Sequence, residues 1–600
     1  HSFAEGLGSA DLDDALKQIG AILGARVEAQ EHQEDQGESE PTTFEDTGSP
    51  AKPRIFAAAA RLLRFAADSA PIVILCDDIQ WADGASLDLL DDLLLRAEDL
   101  PVLAVCAARP ELFERLPAWS EGKAASTRID LAPLARRHME EMVRSFLLRV
   151  PDLAPSTVRT LVDRAEGHPL ILVETLHLLV DAGVIEARGE EAWVIREEQL
   201  GALALPATVQ GIAQARLDRL EAGPRSLLAQ AAVVGRTFWE GAVERMQQDP
   251  KGLPETASAG LLSRLRNRQL IRPREPAMFP GEREYVFAES AMYEVAYETM
   301  SVKLRRPLHL LIAKWLEERA SGNAGSALLA LHYDRGGDPR RAAAAYVRAA
   351  AHAVSVGENA EARGHLERAR DLHDEAESAG SEEDAAGCVI PWRDRVRLRL
   401  DLGDVLRYLG RLEEAERSYE EARARIDRPA GPSGASPDHT DALRFDARVD
   451  HRLALVHKVR GSTGEARVLV ERAIAHAKEA GSAAETPPMY ALLAFLHRRE
   501  RRPDASWQAA REGLRVCRAI EHRDERWQEN VTQLLCGLAA ALFSRGRMVG
   551  AERSFRQASR VISEAANPYR AGIGRDRRGQ GRSRNRPPRS RLSPGGRGRR

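Results

Sequence analysis

The sequence predicts a multidomain, mostly α-helical protein that contains one small α/β segment and a C-terminal α-solenoid. Aromatic residues make up only 5% of the 600 residues, while 43% are hydrophobic and 30% are charged, a balance typical of globular helical proteins. Two short apolar runs flank a helical stretch, as in a strand–helix–strand unit. Further along the chain, a pattern of one glycine and two alanines recurs at offsets of 53 and 51 residues, as in stacked helix hairpins.

Length predicts several domains, and composition divides the chain into five segments. They are an N-terminal piece with a short helix and an acidic loop (1–53), an α/β core (54–135), a helical regulatory segment (136–320), a repeat array (321–566) and a basic tail (567–600). The five cysteines contain no CxxC pair, which argues against a disulfide framework or a thiolate zinc site and favours a cytoplasmic location. No apolar run approaches the roughly 20 residues of a membrane span.

The α/β segment is predicted to contain two neighbouring parallel strands. The continuous apolar runs Pro71–Cys76 and Val102–Cys106 are expected of strands buried on both faces of a parallel sheet. A predicted helix over Ser86–Ala97 connects them, and another over Arg54–Ala67 precedes them. Together these elements form a βαβ unit.

Two carboxylates, Asp77 and Asp78, follow the first of these strands. A rigid strand that ends in acidic residues at the carboxyl edge of a sheet is the Walker B arrangement. In that arrangement Asp77 is predicted to hold Mg²⁺ through water, and Asp78 to orient or deprotonate an attacking water. Because a pair of aspartates can also merely cap a loop, the longer string around them carries more weight.

The string Pro71–Asp83 resembles the ILDDLHWAD segment of the signal-transduction ATPases with numerous domains, which are AAA-like P-loop ATPases. This family includes LuxR-type regulators and the ATPase regions fused to bacterial Ser/Thr kinases and nucleotide cyclases. Val105–Glu111 matches the family's following strand, which implies that Arg109 is a sensor near the γ-phosphate of ATP. Gly167–Glu174 resembles the family's GNPF helix start, which implies that Pro169 and His168, in place of the usual Asn, lie near the nucleotide base.

The regulatory segment carries the features of a winged helix. Helices are predicted over residues 206–220, 224–234 and 261–270, and Tyr285–Phe287 is predicted to be one strand of a small wing. Strings within this segment resemble the winged-helix region of the same family, namely Ala215–Leu220, Ala231–Phe238 and Tyr285–Glu289. A winged helix either reads DNA or packs against other domains of the same chain.

The repeat array resembles a tetratricopeptide-type (TPR-like) solenoid with an unusually long period. Glycine permits a turn between two helices, and alanine lets the helices approach closely. The repeated positions are Gly357/Ala362/Ala369, Gly410/Ala415/Ala422, Gly461/Ala466/Ala473 and, more loosely, Gly546/Ala551/Ala558. Such repeats bind proteins or peptides, support self-association, or only space other domains.

The phosphate-binding loop of the family, GxxxxGK[ST], does not occur in residues 1–76. The Gly6-Leu7-Gly8-Ser9 string lacks the required lysine. Since the family places this loop upstream of the Walker B strand, we expect it before His1 in a longer chain, and we expect the present chain alone to bind ATP poorly.

The basic tail contains twelve arginines and one aspartate between residues 570 and 600, so the net charge of −3 leaves −14 on the preceding residues. Three readings of the tail stay open: a frameshifted or misassembled stretch, a disordered basic tail, or a nucleic-acid-binding arm. The acidic remainder gives no general reason to expect nucleic-acid binding.

Other residues with chemical potential are expected to be structural. His309 and His332 lie on predicted helices without metal-ligand spacing, and we expect packed or surface histidines there. Five tryptophans lie among apolar neighbours and are expected in the core: Trp81, Trp239, Trp315, Trp392 and Trp507.

These observations predict a signalling switch that uses ATP and Mg²⁺, hydrolyses ATP slowly in a longer chain, and senses a protein or an inducer through its repeats. The alternatives are an interaction scaffold without a P-loop, part of a LuxR-type transcription regulator, or part of a kinase or cyclase fusion.

Overall fold

The computed structural model describes residues 51–97, 99–117, 119, 126–188, 192–203, 205–247, 258–319, 325–378, 391–427, 438–520 and 523–565. The chain divides into two compact units, residues 1–388 and 389–600, and each is described by itself. The helix predicted over residues 1–29, the acidic loop as far as residue 50 and the basic tail lie outside the described residues.

The α/β segment has the predicted strand–helix–strand order. Its elements in chain order are α1 (Ala51–Ser69), β1 (Ile72–Cys76), a 3-10 turn (Ile79–Trp81), α2 (Gly84–Arg96), β2 (Val102–Cys106) and α3 (Glu111–Arg115). Strands β1 and β2 pair in parallel, with Ile72 opposite Val102 and Cys76 opposite Cys106, so the predicted βαβ unit is confirmed. Helix α1 begins three residues earlier than predicted and holds Pro53 in its first turn, where the missing N–H costs nothing.

The prediction that these strands are buried on both faces is wrong for one face. Side chains of a strand alternate between its faces, and only one face lies over the small core formed by α2 and α3. On the other face the register places Val73 beside Leu103 and Leu75 beside Val105. These four side chains are 49% to 75% exposed and form one apolar patch, which we call the open sheet face.

Residues 136–218 form a helical layer around one core, which includes Met139, Leu161, Leu172 and Ile212. A short antiparallel hairpin, which the sequence pattern did not predict, interrupts the helices. The elements are α4 (Arg136–Phe146), α5 (Pro155–Ala165), α6 (Pro169–Asp181), β3 (Ile185–Arg188), β4 (Ala192–Ile195), α7 (Glu197–Ala202) and α8 (Val209–Asp218).

The described residues between 222 and 298 combine four helices with a three-stranded antiparallel sheet in the order β5-β7-β6. The strand predicted at Tyr285–Phe287 is confirmed as part of β7, and the predicted helices correspond to α9 and α11. The aromatic rings of Phe238 and Phe287 pack 5.6 Å apart across the sheet. The elements are α9 (Ala222–Val234), β5 (Thr237–Trp239), α10 (Glu240–Gln247), α11 (Ser258–Asn267), β6 (Ile271–Arg274), β7 (Glu284–Phe287) and α12 (Ser290–Glu298).

The first unit continues with helices that pack on one another in sequence: α13 (Val302–Arg319), α14 (Ser326–Gly336), α15 (Pro339–Ser355) and α16 (Asn359–Ser378). His309 of α13 and His332 of α14 face each other with their Nδ1 atoms 2.9 Å apart, and each residue is 1% exposed. The prediction that these are packed helix histidines is therefore confirmed. Burial, reinforced by the charge of Arg335, lowers the pKa of His309 to about 4, and burial beside His309 lowers the pKa of His332 to about 3.

The second unit is a TPR-like solenoid of helix hairpins. Its elements are α17 (Trp392–Tyr408), α18 (Leu412–Asp427), α19 (His439–Arg460), α20 (Thr463–Glu479), a 3-10 turn (Ala483–Glu485), α21 (Pro487–Arg499), α22 (Pro503–Ala519), α23 (Glu525–Ser544) and α24 (Met548–Ala565). Each odd-numbered helix packs against the helix that follows it, and consecutive hairpins pack on each other.

The glycine–alanine pattern marks these hairpins as predicted. Gly461, for example, ends α19 at φ 86°, a left-handed conformation that favours glycine, while Ala466 and Ala473 on α20 are 0% exposed. The pattern does not mark the hairpin of α21 and α22, because the turn between these helices uses Arg501, at φ 59°, instead of glycine. The repeats are therefore built on close helix contacts at alanine.

Replacing Gly403 by alanine is expected to destabilise the second unit, because a Cβ there would lie 2.3 Å from Cε1 of Tyr419. The Tyr419 ring has no room to move, since it is fully buried and its hydroxyl donates a 2.7 Å hydrogen bond to Asp404. We expect a loss of about 1–3 kcal/mol in the free energy of unfolding, measured by urea titration. In the control, Gly464→Ala on α20, where no atom lies within 4 Å, stability is expected to stay level or rise. Equal losses in the two variants would contradict close packing at Gly403.

The histidine pair is expected to make stability depend on pH. Both folded-state pKa values lie below the value of about 6.5 in an unfolded chain, so protons bind the unfolded state preferentially. The contribution of the neutral pair is complete above pH ~6.5 and declines as pH falls toward 4. The urea midpoint of the wild type should therefore drop between pH 7 and pH 5, and the double variant His309→Gln/His332→Gln should drop less. His138→Gln, an exposed histidine of the same unit, should keep the wild-type slope.

Candidate functional site

The candidate site lies where β1 and β2 end. Beyond the strands the backbone ladder continues, because the Ala107 amide donates to the Cys76 carbonyl at 2.8 Å and the Ile79 amide donates to the Ala107 carbonyl at 3.1 Å. These bonds hold Asp77 and Asp78 beside the segment that carries Arg109. Asp77, Asp78 and Arg109, which were predicted to belong to one site, therefore lie together at the carboxyl edge of the strand pair.

Asp78 adopts an unusual backbone conformation. Its φ of 54° and ψ of 37° lie in the left-handed region, which aspartate tolerates better than most residues. The Asp78 amide donates a 2.9 Å hydrogen bond to Oδ1 of Asp77, and the 3-10 turn begins at the next residue. Strained single residues of this kind cluster at functional sites, because surrounding contacts must hold them in place.

Gln80 connects the two strand ends, and the sequence pattern did not single it out. Its side chain is 7% exposed; Nε2 donates to Oδ1 of Asp78 at 2.8 Å, and Oε1 accepts from the Arg109 amide at 3.1 Å. Because both ends of the amide are used, Gln80 fixes the Asp78 carboxylate relative to the Arg109 backbone. Only its place between Asp78 and Trp81 in the motif could have suggested this role.

Two guanidinium groups lie near the Asp78 carboxylate. Nε of Arg109 is 3.9 Å from Oδ1, and Nη2 of Arg236, which follows α9, is 3.9 Å from Oδ2. All three side chains are 38% to 51% exposed, so solvent reaches the cluster. Arg109 was predicted at this site, whereas Arg236 was not, since it lies 158 positions along the chain from Asp78.

The donor set suits a hard cation and a phosphate. Within the described ranges, no group of three or more His, Cys, Asp or Glu side chains is placed to hold a metal ion. Mg²⁺ commonly binds through one or two carboxylates and completes its shell with water and phosphate oxygens. The exposed carboxylate of Asp77 and the half-buried one of Asp78 meet that requirement, and guanidinium groups suit phosphate oxygens.

His168 and Pro169 lie at the start of α6, where both are exposed. His168 occupies the position before the helix, where its carbonyl accepts a hydrogen bond from the Leu172 amide but its side chain makes no capping hydrogen bond. Gly167 precedes it at φ 81° and is packed so closely on the 133–134 backbone that a Cβ would lie 2.7 Å from the Leu134 carbonyl oxygen. In the described part of the chain, no hydrogen bond or ion pair joins His168 or Pro169 to the aspartates, so their contact with a nucleotide base stays a prediction.

Arg216 links two segments of the sequence that contain family-like strings, Gly167–Glu174 and Ala215–Leu220. Its Nη1 donates to Glu174 at 2.7 Å, its Nε donates to Asp181 at 2.9 Å and its Nη2 donates to the Arg268 carbonyl at 2.8 Å. Burial raises the pKa of Glu174, but a hydrogen bond with His177 and the charge of Arg216 outweigh burial and hold that pKa below its usual value. Glu174 and Arg216 therefore anchor α6 to α8 and to the end of α11.

The tryptophan at the site differs from expectation. Trp81 was predicted in the core, but it is 66% exposed because the 3-10 turn points it away from the small core beneath β1. The prediction is wrong there, whereas Trp239 and Trp315 are 3% and 2% exposed, as predicted. Trp392 and Trp507 are half-buried. The exposure of Trp81 could not be predicted from its neighbours in the sequence, because burial depends on which elements pack above the turn.

Comparison with known proteins shows a limited set of similarities. No protein-family model matches the chain. A protein from Rhizobium meliloti (strain 1021), described as uncharacterized, is 25% identical over 316 residues, which are 50% of this chain and 28% of that protein. The chain thus spans just over a quarter of the length of this curated relative.

Solved structures align with parts of this chain at low sequence identity. A signal transduction ATPase with numerous domains and a tetratricopeptide repeat sensor, from Pyrococcus horikoshii, is 13% identical, with 87% of this chain and 84% of that chain covered at a TM-score of 0.32. BtubC from P. vanneervenii is 13% identical, with 50% of this chain and 100% of that chain covered at a TM-score of 0.31. None of the helices in the described residues is long and apolar enough to cross a membrane.

Removal of the Arg216 charge is expected to destabilise the first unit strongly. Arg216→Met leaves Glu174 and Asp181 buried without their partner, and breaking a buried ion pair from one side costs about 3–5 kcal/mol. Urea unfolding should show this loss, while Arg219→Met, which changes an exposed arginine one residue past the end of α8, should stay within about 0.5 kcal/mol of wild type. Similar stability of the two variants would show that Arg216 does not anchor these helices.

Proposed function

We propose that this chain belongs to a signalling switch that binds ATP and Mg²⁺ and that senses a protein or peptide through its TPR-like repeats. The observation that supports the proposal is the meeting of Asp77, Asp78 and Arg109 at the carboxyl ends of two parallel strands. Ligands of open α/β sheets bind at this edge, outside the strand ends. The carboxylates of Asp77 and Asp78 and the guanidinium group of Arg109 supply the chemistry that a magnesium-bound triphosphate requires.

Each residue has a separate role in this proposal. Asp77, whose carboxylate is exposed, holds Mg²⁺ through water, and the bound ion neutralises phosphate charge. Asp78 orients or deprotonates the attacking water, with its carboxylate positioned by Gln80. Arg109 acts as the sensor of the γ-phosphate, and Gln80 accepts a hydrogen bond from its backbone amide. Hydrolysis is expected to be slow, because in a switch the γ-phosphate serves to hold one conformation.

The segment of residues 209–298 is proposed to act as a winged helix that closes on the nucleotide. Its helices α9 and α11 and its three-stranded sheet have the composition of such a module. Arg236 connects this segment to the strand ends, which supports a packing role over a DNA-reading role. The winged helix would thereby transmit the state of the nucleotide toward the helices that follow.

The open sheet face supports an incomplete ATPase core. Parallel strands are normally covered on both faces, whereas Val73, Leu75, Leu103 and Val105 are exposed. We propose that the element carrying the phosphate loop belongs against this patch. Since the sequence contains no GxxxxGK[ST] string upstream of β1, DNA sequencing across the codon for His1 tests the proposal directly.

A protein-interaction scaffold that never binds nucleotide is the second candidate. It is favoured by the regular hairpins of residues 391–565, which form a TPR-like solenoid whose folding needs no ligand chemistry. Equilibrium binding of Mg²⁺–ATP to a gene product that contains a phosphate loop separates the candidates. Absence of binding would favour the scaffold.

Asp78→Asn is expected to keep ATP binding and to lose hydrolysis in a gene product that includes a GxxxxGK[ST] loop. The amide cannot accept the proton of the attacking water, and loss of a general base lowers rates by about 10²–10⁴-fold. Phosphate release and equilibrium nucleotide binding measure the two effects. The control is Asp99→Asn, an exposed carboxylate that precedes β2 at the opposite edge of the strand pair and should leave both unchanged. Wild-type hydrolysis by Asp78→Asn would refute the role assigned to Asp78.

A further inference from the structure

Two arginines of the first unit have opposite environments. Arg216 is 2% exposed, and each of its nitrogen groups donates to an oxygen of Glu174, Asp181 or Arg268 at 2.9 Å or less. Arg236 has a buried Nε without a hydrogen-bond partner, and its Nη2 lies 3.9 Å from Oδ2 of Asp78. A satisfied arginine is a structural anchor, whereas a buried donor without a partner calls for another explanation.

The backbone fixes Arg236 at the junction between α9 and β5. Gly235 leaves α9 at φ 151°, a conformation that only glycine adopts readily, and turns the chain into β5. The Arg236 carbonyl accepts a 3.0 Å hydrogen bond from the Phe287 amide of β7. The main chain is therefore rigid, while the long side chain is 38% exposed and free to change partner.

Two guanidinium groups share the Asp78 carboxylate. Arg109 and Arg236 approach different oxygens of it at 3.9 Å. Burial raises the pKa of the Glu289 carboxyl, and the charge of Arg236 also acts on this group and lowers that pKa by less. If a cation engages Asp77 and Asp78, it competes with both guanidinium groups for carboxylate oxygens. An anion with several oxygens beside the cation would then offer each arginine a bidentate partner.

We propose that Arg236 is a ligand-sensing arginine that pairs with Asp78 in the free protein and turns to the phosphates of a Mg²⁺-bound polyphosphate when the metal engages the carboxylates. The identity of the ligand rests on the proposed function, but the contact between Arg236 and Asp78 does not. Through this exchange of partners, residues 209–298 respond to whether the strand ends hold a ligand. Arg236 thus couples the site to the three-stranded sheet.

Hydrogen exchange measured by mass spectrometry on the full 600-residue chain tests the contact without any ligand. Arg236→Gln and Asp78→Asn should each raise the exchange rate of peptides spanning residues 72–82 and 231–240 by about two- to fivefold, the range open to a half-exposed ion pair. Asp78→Asn also removes the ion pair with Arg109, so the double variant should exchange no faster than Asp78→Asn alone. Arg225→Gln, an exposed arginine of α9 that pairs with Asp218, should behave like wild type.

The ligand is tested with Mg²⁺ and inorganic tripolyphosphate at millimolar concentration. When this ligand is added, hydrogen exchange in residues 231–240 should slow in the wild type and in Arg236→Lys, which keeps the charge. It should not slow in Arg236→Gln. Unchanged exchange in Arg236→Gln, or additive effects in the double variant, would overturn the contact. A wild type that does not respond to Mg²⁺–tripolyphosphate, or a response that survives in Arg236→Gln, would overturn sensing.

These outcomes are separable from those of the proposed function. Tripolyphosphate has no base or ribose, so a response to it needs only phosphate and metal. If the response depends on Arg236 but the loop-containing gene product does not hydrolyse ATP, the proposed function fails and sensing stands. If hydrolysis depends on Asp78 but exchange is indifferent to Arg236, the proposed function stands and sensing fails.

Discussion

Parallel pairing of β1 with β2 in a single register is the constraint on which the candidate site depends. The pairing sets Cys76 opposite Cys106, and the ladder bonds at Ala107 and Ile79 carry this alignment past the last strand residues. Gln80 can then bridge Asp78 to the Arg109 backbone. A shift of one residue would turn the strand side chains to the opposite faces and separate these groups, so the chemistry of the site follows from backbone pairing.

Arginine serves two purposes in the first unit, and the satisfaction of its donors distinguishes them. Arg216 ties three chain segments together inside the protein, where an unpaired charge would be costly. Arg236 stands at a junction with a rigid backbone and a loosely held side chain. The two arginines therefore differ in how far their donors are satisfied, and of the two only Arg236 has a buried donor without a partner.

The second unit is stabilised by a different physical arrangement, in which helices approach closely at small residues. Alanines at the crossing points are fully buried, and Tyr419 fills the space left by Gly403 so closely that an added Cβ would overlap its ring. Charged residues also lie inside: Nε of Arg452 on α19 donates a 2.8 Å hydrogen bond to Asp404 on α17, and both are about 2% exposed. This pair orients one hairpin against the next, since a buried charge must keep its partner.

The sequence by itself determined the mostly helical class, the βαβ unit, the hairpins marked by glycine and alanine, and the neighbourhood of Asp77, Asp78 and Arg109. These features depend on local periodicity and on short-range spacing, which a single sequence records. It did not reveal the exposed position of Trp81 or the open sheet face, because burial depends on which elements pack above a strand.

Only the tertiary structure decided that Gln80 bridges the strand ends, that Arg216 joins Glu174 to Asp181, and that Arg236 reaches Asp78. Such partners lie up to 158 positions apart in the chain, and no local pattern encodes the distance between them. These residues come into contact because helices and strands pack against one another. Each element is predictable alone, but the arrangement of the elements is set by the contacts between them.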